Sequence, residues 1–411
     1  MQLVPISVDS IRIAHPLPFP LMDKDGVLIA KRGYVVPSRE DLLEYSGRNG
    51  GLFIDVADSE AHHKAYVERL QTMVREDKAI GEIASTKLSL SRDVERFEEP
   101  PERLDWLDLQ FQANALALES QPEYFLQRLD KLSAQLQQNC QDMADGTLFA
   151  LMYLSASDSR MYSATHGMLV ATMCQLAARD VLKWPQHEVD VLCRAALTMN
   201  IGMSQVQDQL ALQKEPPTAA QRKIIDEHAQ RSVHALERLG IDSQDWLDVV
   251  RNHHQQIPGP LSTRSPSERM TRLIQRADMF AAKLAPRASR HPIAPASAMQ
   301  SCYFDENRQV DEAGAALIKA VGVYPPGTFV RLVNDETAVV VRRGANTTMP
   351  KAAVLLNRQG MPTVEHTIRD TSQREHRVAS SVAYREVRVR LYLNRMLALT
   401  LPGAIPVRMA P

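Results

Sequence analysis

Between Ser163 and about Ala320 the chain carries helical periodicity, broken by Pro216-Pro217 and by the loop Ile257-Pro258-Gly259-Pro260. A stretch of that length commits the middle of the molecule to packed helices. The ends read differently. Up to about Asp58 the sequence is β-rich and small, with apolar runs Ile11 to Ala14 and Val27 to Ala30 on either side of the turn signal Asp23-Lys24-Asp25-Gly26, and a short strand Leu52-Phe53-Ile54 after Gly50-Gly51. Beyond Tyr324-Pro325-Pro326-Gly327, the run Phe329 to Val333, the polar pair Asn334-Asp335 and the run Ala338 to Val341 predict a β-hairpin, with Val354-Leu355-Leu356 as a third strand.

The predicted organisation is therefore mainly α, in five parts: a β-rich unit over 1–58, a helical connecting segment over 59–152, a helical domain over 153–322, a small β-rich extension over 323–372 and a tail over 373–411. In the connecting segment Tyr124, Leu126, Leu129, Leu132 and Leu136 alternate with polar residues, which suits helices packed on a neighbouring domain or a dimerisation stalk. The acidic, proline-bearing run Glu95 to Glu102 reads as a linker. The tail interleaves Arg385, Arg388, Arg390 and Arg395 with Val387, Val389, Leu391, Leu393 and Leu397, a pattern for an ordinary surface element or an amphipathic partner-binding segment.

Charge excludes little but points away from two partners. The 48 basic residues nearly cancel the 49 acidic ones, so nothing in the balance calls for a nucleic acid polymer or an anionic membrane. Cys140, Cys174, Cys193 and Cys302 are scattered without a CxxC pair, which suits a reducing compartment. No basic-then-apolar leader and no apolar run near the roughly 20 residues of a bilayer span are present, so the chain is expected to be cytoplasmic and unprocessed.

Five side chains with metal-ligand chemistry fall in the helical stretch: His166, His228, the adjacent His253-His254, and Asp278. Imidazole and carboxylate suit borderline and hard divalent ions. Taken singly, each is as well explained as a hydrogen-bonded helix residue.

Their surroundings in order are more specific. Tyr162 to Ala171 with His166, then Ala195-Ala196-Leu197-Thr198-Met199-Asn200-Ile201-Gly202-Met203, then Leu212-Gln213-Lys214, Pro217-Thr218 and Ile225-Asp226-Glu227-His228, then His253-His254, and finally Arg272 to Ala282 with Asp278 form five ordered blocks. This series, from Tyr162 to Pro326, resembles the HD-GYP domain, a cyclic di-GMP phosphodiesterase fold of the HD superfamily. The exit Tyr324-Pro325-Pro326-Gly327-Thr328 also resembles the Tyr-Pro-x-Gly-Thr strand that often follows that domain.

The resemblance implies an HD-superfamily helical bundle with two metals. One site would take the first His, the His-Asp pair and the last Asp; three later His would complete the other, and the Asp of the pair would bridge. Carried over by position, His166 and Asp278 belong to the first site, Met199 replaces its other His, Asn200 replaces the bridge, and His228, His253 and His254 form the second. A thioether is a poor ligand in an O/N site, and a neutral amide does not offset the repulsion of two close dications.

Met203 stands where the family has Lys, and His253-His254-Gln255-Gln256-Ile257-Pro258-Gly259-Pro260 lacks the family's acidic residues and the Tyr of its Gly-Tyr-Pro loop. The resemblance thus implies no confidently retained catalytic residue, and a remnant ligand set of His228, His253, His254, His166, Asp278 and Asn200 for one Fe, Mn or Zn ion or for none. Arg287, Arg290 and Lys283 fall where the family could meet a ligand phosphate, and equally suit solvated surface cations.

The leading expectation is a degenerate HD-GYP-like protein of bacterial cyclic di-GMP signalling that acts through nucleotide or protein binding, with a homodimer open. The alternatives are a residual single-metal phosphohydrolase at the three histidines and a scaffold that binds neither metal nor nucleotide.

Overall fold

The computed structural model describes residues 3–6, 11, 17, 19–34, 36, 51–55, 105–157, 159–256, 258–289, 293–363, 366–387, 389 and 391–402. The predicted linker at 95–102, and Arg290, Arg388 and Arg390, lie outside them. The chain divides into two compact units, residues 1–108 and 109–411.

The first unit holds an antiparallel sheet in the order β1-β4-β2-β3, from β1 (Leu3–Ile6), β2 (Leu21–Met22), β3 (Leu28–Ala30) and β4 (Leu52–Asp55). The Asp23 carboxylate accepts from the backbone N–H of Asp25 and of Val27, and Gly26 takes φ +81°, which closes the turn predicted at 23–26. The strand entering that turn is Leu21–Met22; the more distant run at 11–14 contributes Ile11 to the core instead, beside Leu17, Phe19 and Leu52.

The second unit is mainly helical, as the periodicity requires. Its elements are α1 (Trp106–Ala117, which begins in the first unit), α2 (Pro122–Asp142), α3 (Ala144–Ser157), α4 (Tyr162–Leu176), α5 (Gln186–Thr198), α6 (Ser204–Leu212), α7 (Ala219–Arg238), α8 (Gln244–Asn252), α9 (Pro266–Leu284), α10 (Pro295–Tyr303) and α11 (Glu312–Val321). On α2 the inward stripe is Phe125, Leu129, Leu132 and Leu136, at 3.6-residue spacing, while Tyr124 and Leu126 of the predicted apolar face point outward.

Sequence chemistry fixes the helix starts. Pro216-Pro217 cannot continue a helix, and the next residue, Thr218, caps α7 in a reciprocal box with Gln221. Ser265 does the same for α9 with Glu268, and Pro266 occupies the first turn, where its missing N–H costs nothing. All of α4 is buried, which makes it the central rod of the unit.

A second antiparallel sheet follows, ordered β8-β7-β6-β5-β9, from β5 (Phe329–Leu332), β6 (Thr337–Arg342), β7 (Lys351–Leu356), β8 (Ile368–Asp370) and β9 (Val378–Val382). The predicted hairpin is β5–β6, turned by Asn334-Asp335 with Asp335 at φ +67°. The tail supplies β9 and α12 (Leu393–Thr400). Its Val387, Leu391, Met396 and Leu399 are buried against Phe149, Phe329 and Val339, so its apolar side is spent on the chain's own core. Among the described residues no helix is long and apolar enough to cross a membrane.

Candidate functional site

Three imidazoles meet where α7 passes the end of α8. His228 projects from the middle of α7, and His253 and His254 follow directly on the last residue of α8. His253 is fully buried, His228 nearly so, and His254 is exposed. The Nδ1–H of His228 donates to the Ile225 carbonyl at 2.5 Å and that of His253 to the Val250 carbonyl at 2.7 Å, each three residues back on its own helix. Those bonds set the tautomer and leave both Nε2 atoms with lone pairs.

The Nε2 atoms of His228 and His253 lie 3.1 Å apart, and those of His254 and His228 3.0 Å apart. A proton on His254 can bridge one of these contacts. The buried contact between His228 and His253 remains lone pair against lone pair, which only a proton or a cation between them relieves. Ligands bonded to zinc at about 2.0–2.1 Å with a tetrahedral angle stand roughly 3.3 Å apart, close to what is found here. Among the described residues this is the cluster of metal-ligand type, with its donor atoms all within 4.8 Å of one another. The three-histidine half therefore fits one borderline cation.

Burial pushes the His253 imidazole down to about 3, with the charge of His254 acting in the same sense, and burial also lowers His228. Both are thus neutral near pH 7, the form that binds metal.

The other half is arranged differently. His166, on α4, is 3% exposed, and its Nε2 lies 2.7 Å from Oδ1 of Asp278 on α9. Burial alone would raise the Asp278 carboxyl; its bond to His166 and the charges of His166, His253 and His254 hold it at about 2. The nitrogen facing a carboxylate must carry its proton, so His166 has no lone pair to offer there. Met199, directly after α5, is 1% exposed, and its thioether is a poor ligand for such an ion. The amide oxygen of Asn200 is buried with no hydrogen-bond partner, and Asn200 lines a small cavity with Ser163, Gly167, Thr198 and Ser204. Of these residues, Met199 and Asn200 carry neither an imidazole nor a negative charge for a second cation.

The neighbours of that half are engaged as well. The Tyr162 ring stacks on His166 at 5.5 Å between centroids. Arg287 lies over Tyr162 at 4.8 Å and donates to its hydroxyl at 2.7 Å, and Lys283 donates to Ser301 at 2.5 Å. Of the three cations weighed as phosphate contacts or solvated surface groups, these two are held by protein groups, and Arg290 lies outside the described residues.

Sequence reasoning missed an ionic network on α9. Arg272 and Arg276, both 2% exposed, share the carboxylates of Glu306 and Asp311, with Arg272 at 2.7 Å from Asp311 and 2.9 Å from Glu306. Their i, i+4 spacing on an otherwise apolar face was the available signal. Between them Gln275 donates to the Gln255 carbonyl at 2.8 Å and ties the loop after His254 to the helix that carries Asp278. A polar cavity of about 320 Å³ flanks that loop, lined among others by Arg251, Asn252, Gln255, Arg264 and Arg272.

The helical unit thus holds three converging imidazoles and a bonded His166–Asp278 pair. A cyclic di-GMP phosphodiesterase of Pseudomonas aeruginosa is 25% identical over 215 residues, so the chain spans about half, 51%, of that relative's length. The ordered motifs and this similarity support membership of the HD-GYP family. An HDGYP protein of Bdellovibrio bacteriovorus superposes with a TM-score of 0.42 at 15% identity, over 77% of this chain and 99% of that one. No protein-family model matches the chain.

Proposed function

We propose that the chain is a degenerate HD-GYP-like protein of cyclic di-GMP signalling, which holds the nucleotide or a protein partner while hydrolysis is impaired. One observation carries this reading: the two halves of the site differ. The three-histidine half is assembled for a cation, whereas in the other half Met199 is buried and His166 is bonded to Asp278. When bound, a single cation at His228, His253 and His254 supplies positive charge and an acidic water. The bridging charge and second cation that would stabilise the leaving oxygen have no ligands here.

The cavity beside Gln255 lies within the roughly 300–1,000 Å³ of ligand pockets, and its lining includes Arg251 and Arg264, side chains of the type that pair with a phosphate. Four buried, unpaired thiols suit a reducing compartment, and we place the protein in the cytoplasm. Protein partners or a homodimer would be met by surfaces outside the helical domain, for which 153–322 remains the proposed boundary.

A second reading, a residual phosphohydrolase working with one cation, is favoured by the converging Nε2 atoms. The test is calorimetric titration of cyclic di-GMP into cation-loaded protein and into His253→Ala. Saturable binding to the loaded protein supports the nucleotide-binding form of the proposal. A flat titration removes it and leaves a scaffold.

A further inference from the structure

We propose that His166 and Asp278 form a strut that needs no metal, so that their bond stays intact when the three histidines hold a cation and the chain loads one ion rather than two. The inference rests on the degenerate site described above and extends it to what replaced the lost half.

The geometry behind it is local. His166 leaves the central helix α4 and Asp278 leaves α9, so their 2.7 Å bond fastens two core helices at a point where the imidazole is buried and the carboxylate 18% exposed. A bond between a charged and a polar group at such a point is stronger than one at the surface. The same contact occupies the imidazole Nε2 and one of the two carboxylate oxygens, Oδ1, with a shared proton.

Tyr162 fixes the ring plane by stacking on His166, and Arg287 holds Tyr162 from above. Met199, buried and aligned by sequence with the family's other histidine of this half, has a thioether that attracts no such cation. The carboxylate nevertheless lies close enough to the histidine cluster to feel the charges of His253 and His254.

The experiment compares tag-free wild type with His166→Gln, which keeps a donor toward Asp278 but offers no imidazole, and with His253→Ala. Metal content is measured after loading with Mn, Fe or Zn, and thermal unfolding is measured in chelator. The proposal expects one ion per chain in wild type and in His166→Gln, and none in His253→Ala. Two ions in wild type, or loss of the ion in His166→Gln, overturns it.

Should wild type load no ion, the single-cation reading fails, and the strut is judged by itself in chelator. There His166→Ala and Asp278→Ala should each lower the melting temperature by roughly 3–8 °C, and the double variant by little more than either. Additive losses would mean that the two side chains do not act as a pair and would overturn the proposal.

Discussion

Metal-free protein should lose stability on mild acidification through His253. In the unfolded chain a histidine protonates near 6.5, whereas burial, with His254 and His228 acting in the same sense, lowers it to about 3 in the fold. Between those values the unfolded state binds a proton that the folded state refuses. Stability is then fully present above about pH 6.5 and declines as the pH falls toward 3, at about 1.4 kcal/mol per unit. From pH 7 to pH 5 the loss works out at about 2 kcal/mol for this one group.

His228 is displaced in the same direction and adds to the loss, while the Asp278 carboxylate facing the cluster reduces it. Urea denaturation in chelator at pH 7, 6 and 5 reads the effect as a midpoint shift of about 0.7–1 M for a slope of 2–3 kcal/mol/M. The control is His253→Asn, which removes the titrating group; its other histidines supply the background slope. Equal pH dependence in wild type and variant refutes the reasoning.

Three further outcomes follow from contacts in the same unit. Asp311→Asn leaves Arg272 and Arg276 short of a buried carboxylate and should cost about 3–5 kcal/mol in chemical denaturation, with little change at an exposed control such as Lys223→Gln. Gly202→Ala should cost about 1–3 kcal/mol, because a Cβ there would stand 2.5 Å from the backbone nitrogen of Ser232 on α7; thermal unfolding measures it, and an unchanged midpoint would mean that α7 yields freely. Asn200→Asp puts a charge where the amide oxygen is buried without a partner, and should lower stability in chelator by about 1–3 kcal/mol, checked by the same unfolding assay.

Much of the site was legible because its residues are spaced by helices. His228, His253 and His254 lie on or just beyond helices, the first of which starts where Pro216-Pro217-Thr218 is written, and they converge where α7 and α8 pack. The hairpin at 329–342 was legible for a similar reason, since Asn334-Asp335 supplies its turn chemistry between two apolar runs.

What could not be read was pairing across the core. Nothing local says that Arg287 turns to Tyr162, or that Arg272 and Arg276 meet Glu306 and Asp311 some 30 to 39 residues away. The register on α2 slipped for a smaller reason. Tyr124 and Leu126 flank Phe125, and three apolar residues in a row leave the facing one to be decided by the partner surface.

The central claim, binding with impaired hydrolysis, is tested most directly by incubating cation-loaded chain in excess over cyclic di-GMP and following the linear dinucleotide over hours. The account predicts that the cyclic form persists. Linearisation that is complete within that time and disappears in His253→Ala would contradict it and establish the single-cation phosphohydrolase instead.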